Sequence, residues 1–346
     1  MRTWRTIVGS VGVVAALTLT ACSDGGSGGS GGSGDAGELP KVRIGVAAVN
    51  ASHLWTIIAR NHNIMKEHGV DMELVTFQAG ASQVVPAILS GSVELGIQNG
   101  QQTLLANLQE PEVTGIGVPM IGSPLSVVAR KGINSLEDLR GGNISVNAVN
   151  GSEDFFSGSK FLASKGLTAK DVNYITGGAT NARVSSLLAG SVDAVFCSPP
   201  DVARIEAAGG KVLGQVNDVP EIAATLAYMI IGKSSYLKAN RNTMVKFMAG
   251  YQATQKFMIN PANKDAVVAD IVKDLKTDEA NAEKTYHFWV ETVAKRLDPT
   301  GAIAEENLVK TLENAQATGV KALLGYDRTR LKDVYDNSFA EAAAKG

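Results

Sequence analysis

The segments ILSGSVELGIQNG (residues 88–100) and LLAGSVDAVFCSPP (residues 187–200) repeat one phrase 99 residues apart. With Gly91-Ser92-Val93-Glu94-Leu95 set against Gly190-Ser191-Val192-Asp193-Ala194, each copy reads as a helix end, a turn at glycine and a buried strand. The flanking segments share this grammar. KVRIGVAAV (41–49) reads as a strand, and 52–68 as a helix with Leu54, Ile57, Ile58, Ile64 and Met65 on one repeat and Gly69 at its C-cap. Strand 70–77, helix 82–90 and strand 93–98 follow. The pattern restarts at Ser135, an N-cap with Asp138 three residues on. It continues through strand 143–149, helix 151–165, a strand in VNYI, helix 180–189 and strand 192–197. Strand alternating with helix predicts parallel βαβ units with both sheet faces covered, so the fold class is α/β and the repeated phrase marks equivalent positions in two lobes. LAYMIIG (226–232) reads as one more strand. Beyond Ser234 the chain is helical, with Met244, Phe247, Met248, Tyr251 and Phe257 on one face as core packing against the lobes.

The composition fits such a body. Of 346 residues, 45% are hydrophobic and only 5% aromatic, which suits a mainly aliphatic core, and a net charge of −2 gives no basic footprint for nucleic acid. The N-terminus stands apart. Arg2 and Arg5 precede an apolar run from Ile7 to Leu19, too short for a membrane span but right for a signal peptide. The run ends in Leu19-Thr20-Ala21-Cys22, which matches a bacterial lipoprotein signal and makes Cys22 the expected lipidation site. GGSGGSGGSG within residues 23–39 is a flexible linker with a reach of roughly 20–25 Å. The expectation is a signal peptide over 1–21 and a lipid-anchored linker over 22–39, holding a monomeric body on the outer face of the cytoplasmic membrane.

GVDMELVTF, AILSGSVELGI, INSLEDLRGGNISV, LASKGLTAKDVNYI and LLAGSVDAVFCSPP occur in this order. Together they resemble the nitrate/sulfonate/taurine-type substrate-binding proteins of ABC importers, over about residues 41–232. The resemblance implies a type II periplasmic-binding-protein fold, with residues 40–126 and 230–346 in the first lobe and 127–229 in the second. It implies that the chain crosses between lobes near 125–130 and 228–232. It also implies a small solute in the cleft, sulfonate-, taurine- or nitrate-like or an aromatic acid, and delivery to an ABC permease by hinge closure.

The cleft is also located by physics. Ligands of open α/β sheets collect beyond the carboxyl ends of parallel strands, where helices begin and free N–H groups point outward. Those ends are rich in Gly, Ser, Asn and Gln, which orient a ligand by backbone approach and neutral hydrogen bonds. The candidates are Asn50, Ser52, His53, Trp55, Gln78, Gly80, Ala81, Ser82, Gln98, Asn99, Ser123, Asn150, Ser152, Glu153, Phe155, Thr180, Asn181, Ser198 and Tyr228. Trp55 offers an apolar wall or a core residue. One of Phe155 and Phe156 is expected to line the second lobe while the other packs. No Arg or Lys falls at a strand end, and a cleft-facing Glu153 or Asp201 would favour a cationic or hydroxyl-bearing ligand.

Catalysis finds little support. His53, His62, His68 and His287 form no metal-binding pair, and there is no G-x-S-x-G nucleophile elbow, no Walker A loop and no G-x-G-x-x-G placed after a strand, so no cofactor or metal is expected. Relatives on the same lobes that make a pyrimidine carry a cysteine-rich motif not found here. Cys197, at the end of an apolar strand, reads as a small buried residue. The alternatives are a ligand sensor that signals to a membrane partner or an enzyme on the same fold.

Overall fold

The computed structural model describes residues 38–47, 49–77 and 80–346. The segment expected to be a signal peptide, the expected lipidation site Cys22, nearly all of the Gly/Ser linker and Gln78 lie outside the described residues. Leu39–Gly346 forms one compact unit, and no helix among the described residues is long and apolar enough to cross a membrane.

The strands are β1 (Lys41–Val46), β2 (Asp71–Thr76), β3 (Leu95–Gln98), β4 (Val113–Ile121), β5 (Ser126–Ala129), β6 (Asn143–Val146), β7 (Asn173–Thr176), β8 (Ala194–Cys197), β9 (Lys211–Gln215) and β10 (Leu226–Lys233). They form two sheets, ordered β2-β1-β3-β10-β4 and β7-β6-β8-β5-β9. In each, four strands run in one direction and the fourth in spatial order, β10 or β5, runs antiparallel to both its neighbours, so the sheets are mixed. That fourth strand is where the chain enters or returns. β5 is the first strand after the chain leaves β4, and β10 is the first after it comes back from β9. The second passage therefore occupies 216–225, a few residues before the expected 228–232, which is already strand paired to β3 and β4. β4, with VTGIGVPMI, is a buried strand whose Gly and Pro disguise it in sequence.

The repeated phrase occupies the same place in both sheets. Gly91 and Gly190 turn with φ of 73° and 76°, which favours glycine, and lead into β3 and β8. The acid that follows then caps the neighbouring parallel strand. Glu94 accepts from the backbone N–H of Arg43 at 2.7 Å, and Asp193 from that of Asn143 at 2.8 Å. Each acid also pairs with an arginine, Glu94 with Arg43 and Asp193 with Arg130.

The helices are α1 (Leu54–Asn61), α2 (Ile64–Glu67), α3 (Val84–Leu89), α4 (Gly100–Gln109), α5 (Glu153–Ser164), α6 (Thr180–Leu188), α7 (Pro199–Ala207), α8 (Pro220–Ala223), α9 (Ser234–Ala239), α10 (Arg241–Ile259), α11 (Lys264–Leu275), α12 (Glu279–Phe288), α13 (Glu305–Ala317) and α14 (Ser338–Ala343). The helix expected over 52–68 is broken at Asn63, whose φ of 55° ends α1 before α2 begins. Both faces of each sheet are covered. α1 and α10 pack on one face of the first sheet, and Leu104 of α4 with Leu308 and Leu312 of α13 on the other. On the second sheet, Phe156, Phe161 and Leu162 of α5 fill one side, and Val184, Leu187 and Ile205 of α6 and α7 the other. The C-terminal helices also reach across, α12 packing on α7 and α13 on α5 and α8.

Candidate functional site

The carboxyl ends of the parallel strands of both sheets converge on one cavity of about 60 Å³. From the first sheet come Ala47, Asn50, Ser52, His53, Ala81, Ile97, Gln98, Asn99 and Tyr228. Asn147, Ser152, Glu153, Asp154, Thr180, Arg183, Phe196, Cys197 and Ser198 come from the second, and Leu125 from the passage between them. A second cavity of about 280 Å³ adjoins it, sharing Asn50, Thr180 and Ser198 and adding Asp201, Asp274 and Lys276.

Helix starts supply most of the lining because each begins directly after a strand. Asn50 accepts from the Ser52 N–H at 2.9 Å and Asn99 from the Gln102 N–H at 2.8 Å, so these two are caps first and ligand candidates second. His53 Nδ1 lies 3.2 Å from Asn50 Oδ1, and its ring rests on Tyr228 with centroids 4.9 Å apart. Across the cleft, Gln102 donates to the Asn150 carbonyl at 3.1 Å. The two halves therefore already touch at the start of α4.

The charged centre comes from the second sheet. Arg183 and Asp154 form a buried pair at 2.9 Å. The guanidinium also donates to the carbonyls of Phe196 at 2.9 Å and Gly178 at 3.1 Å, and to Thr180 Oγ1 at 3.1 Å. Glu153, 7% exposed, has its carboxyl pushed up to about 7, chiefly by burial. Hydrogen bonds from Ser157 and Ser123 oppose the shift, nearby Asp154 adds to it, and Arg183 opposes it. Burial likewise raises half-buried Asp201 and, with Glu153 and Asp154 nearby, the phenol of Tyr228. Cys197 is 1% exposed, and burial, aided by Asp201, pushes its thiol well above the ordinary range.

Of the sequence candidates, Asn50, Ser52, His53, Ala81, Gln98, Asn99, Ser152, Glu153, Thr180, Ser198 and Tyr228 line the main cavity. The others fall elsewhere. Trp55 is fully buried in the core, edge-on to Phe247 at 6.3 Å and Tyr251 at 5.1 Å, because its place on α1 faces α10 and not the strand ends. Phe155 packs against Phe156 and Tyr174, and neither phenylalanine lines the main cavity. Ser82 and Asn150 are exposed, and Asn181 faces the adjoining cavity. Ser123 lies beneath the site, buried and hydrogen-bonded to Glu153. Gly80 sits where a Cβ would stand 2.9 Å from Asn147 Oδ1, so this close approach needs glycine.

Arg183 is the correction with most consequence. No basic residue stands at the carboxyl end of a strand of the parallel set, yet this one, on the first turn of α6, reaches back into the cavity lining. Asn147, Asp154, Phe196 and Cys197 were also missed as lining residues, although all four flank the strand ends of β6 and β8. The tail contributes too. Trp289 donates from Nε1 to the Ala51 carbonyl at 2.9 Å, fixing the loop that carries Asn50 and Ser52.

The model of the NMT1/THI5-like family matches residues 50–264. Solved structures with the same fold include a protein of Bordetella bronchiseptica RB50, 23% identical with a TM-score of 0.72, covering 88% of this chain and 97% of that one. The alkanesulfonate-binding protein SsuA of Xanthomonas axonopodis pv. citri, bound to MOPS, is 17% identical with a TM-score of 0.69 over 87% and 99% of the two chains. The nitrate-binding protein NrtA of Synechocystis PCC 6803 is 12% identical with a TM-score of 0.69 over 89% of each. No curated protein matches the sequence. With two mixed sheets facing one cavity and a family match over most of the folded chain, this protein belongs to the NMT1/THI5-like family and has the periplasmic-binding-protein fold.

Proposed function

We propose that this chain is the solute-binding component of an ABC importer, tethered outside the cell membrane through a lipidated Cys22 and the Gly/Ser linker. The first sheet, β10 included, and the helices on it act as one lobe and the second sheet, β5 to β9, as the other, with the chain passing between them at 122–125 and 216–225. Solute entering between them draws the lobes together and stays buried, and the closed form docks on a permease. The observation that carries this reading is a single cavity lined by strand ends of both sheets, because a ligand favours closure only through contacts to both halves at once. The fold shared with an alkanesulfonate-binding and a nitrate-binding protein supports it. Cys197 supports binding over catalysis, since a deeply buried thiol held protonated is the opposite of an activated nucleophile.

The solute is small. A water-sized group needs about 10–15 Å³ on this measure, so about 60 Å³ takes roughly four to six such groups. Nitrate and the head of a sulfonate or taurine fit that space, whereas an aromatic acid extends into the adjoining cavity or needs wider lobes. A thermal-shift screen against sulfonates, taurine, nitrate and small carboxylates tests the reading. A true ligand at about 100 times its Kd adds roughly 2.7 kcal/mol of stability, and unmoved melting curves throughout the panel would defeat the proposal.

A further inference from the structure

Two buried acceptor atoms in the cavity lining, Glu153 Oε1 and Asn147 Oδ1, have no partner within the protein. The same holds for Gln101 Oε1, which shares a satellite space of about 10 Å³ with Glu153. Glu153 and Gln101 are 7% and 5% exposed, and a buried acceptor left unmet is costly, so a group that brings donors into the space is favoured there.

Charge leads to the same conclusion. Glu153 and Asp154 line the cavity, and Asp201 stands in the space next to it. Among the described lining residues Arg183 is the one Lys or Arg, and its three nitrogens already serve Asp154, Phe196, Gly178 and Thr180. A bare anion would face the carboxyls of Glu153 and Asp154, with Arg183 already paired to Asp154 and Lys276 standing only in the adjoining cavity. An alcohol offers a single donor, whereas an ammonium brings three donors and the balancing charge.

The geometry points to a solute that enters this cavity with a protonated nitrogen, an ammonium or amidinium group, for which Glu153 is the specificity-determining residue. This rests on the reading of the cavity as the solute site. The cationic head of up to about six non-hydrogen atoms occupies the inner space, and the rest of the molecule extends into the adjoining cavity past Asn50, Thr180 and Ser198.

Calorimetric titration of the purified full-length protein with ethylammonium, acetamidinium, taurine, 1-propanol, ethanesulfonate and nitrate provides the test. The nitrogen cations should bind at least tenfold more tightly than propanol, and taurine more tightly than ethanesulfonate. Glu153→Gln should lose at least tenfold for the cations and less for propanol, and Glu153→Asp, which keeps the charge, should retain the order of preference. Melting of each variant without ligand checks that it folds. Tighter binding of nitrate or ethanesulfonate than of the cations, or an unchanged preference in Glu153→Gln, overturns the inference and leaves the solute-binding reading standing. Heat and stabilisation from none of the probes overturns both.

Discussion

Replacing Glu153 by Gln removes one titrating proton from the centre of the molecule, and the consequence for stability follows from the structure. The carboxyl is ordinarily near 4.5 and is held at about 7 in the fold, mainly by burial. Facing it are Asp154 on its own helix, Arg183 on α6 and Tyr228 on β10. Below pH 4.5 both folded and unfolded chains carry the proton, and the stability contribution is fully present. As the pH rises towards 7 the unfolded chain releases it first, so the contribution shrinks and is gone once the folded group also ionises. At about 1.4 kcal/mol per pH unit, the loss between those limits is about 3 kcal/mol. Gln does not titrate, and its new amide donor has an acceptor nearby in Gln101 Oε1. Urea midpoints of the two proteins, followed by tryptophan fluorescence from pH 4.5 to pH 8, should therefore diverge, with the wild type losing about 3 kcal/mol relative to the variant. Curves that stay parallel to within about 0.5 kcal/mol would mean that Glu153 ionises as a hydrated carboxylate, and the account of a dry cavity with unmet acceptors would fail.

The buried Arg183–Asp154 pair gives a second prediction. Arg183→Met should cost about 3–5 kcal/mol by leaving Asp154 uncompensated, and adding Asp154→Asn should recover much of the loss, as a double-mutant denaturation cycle will read. Trp55→Ala should cost a similar 3–5 kcal/mol from the core yet leave solute affinity within about twofold, since the side chain lines no part of the cavity. Cys197 should resist alkylation in the native protein at pH 8 and react once the chain is unfolded in urea, as thiol counting by mass spectrometry will show. Cys22→Ser should move the protein from the membrane to the soluble fraction on cell fractionation, and membrane retention would refute the lipid anchor.

The two-sheet plan was legible because a parallel strand and the helix after it are local objects. Each carries its own periodicity, and the turn from a helix into the next strand needs glycine at Gly91 and at Gly190. That is why eleven of the nineteen candidates line the cavity, ten at or near the start of a helix or the end of a strand and Tyr228 near the start of the antiparallel β10. The failures share a physical cause. Whether Trp55 points at the ligand or at α10 depends on a helix nearly two hundred residues later, and a helix period cannot say which element will cover a face.

From the chain alone came the two α/β halves, their equivalent phrases and the convergence of neutral polar strand ends, because strand, turn and helix preferences act over a few residues. Only tertiary packing decided the antiparallel fourth strand of each sheet, the return of Arg183 from the first turn of α6 to Asp154, and the burial that leaves one oxygen of Glu153, Oε1, without a donor. Those depend on which distant surfaces exclude water from one another, and charge in a desolvated space is set by neighbours that the linear order does not bring together.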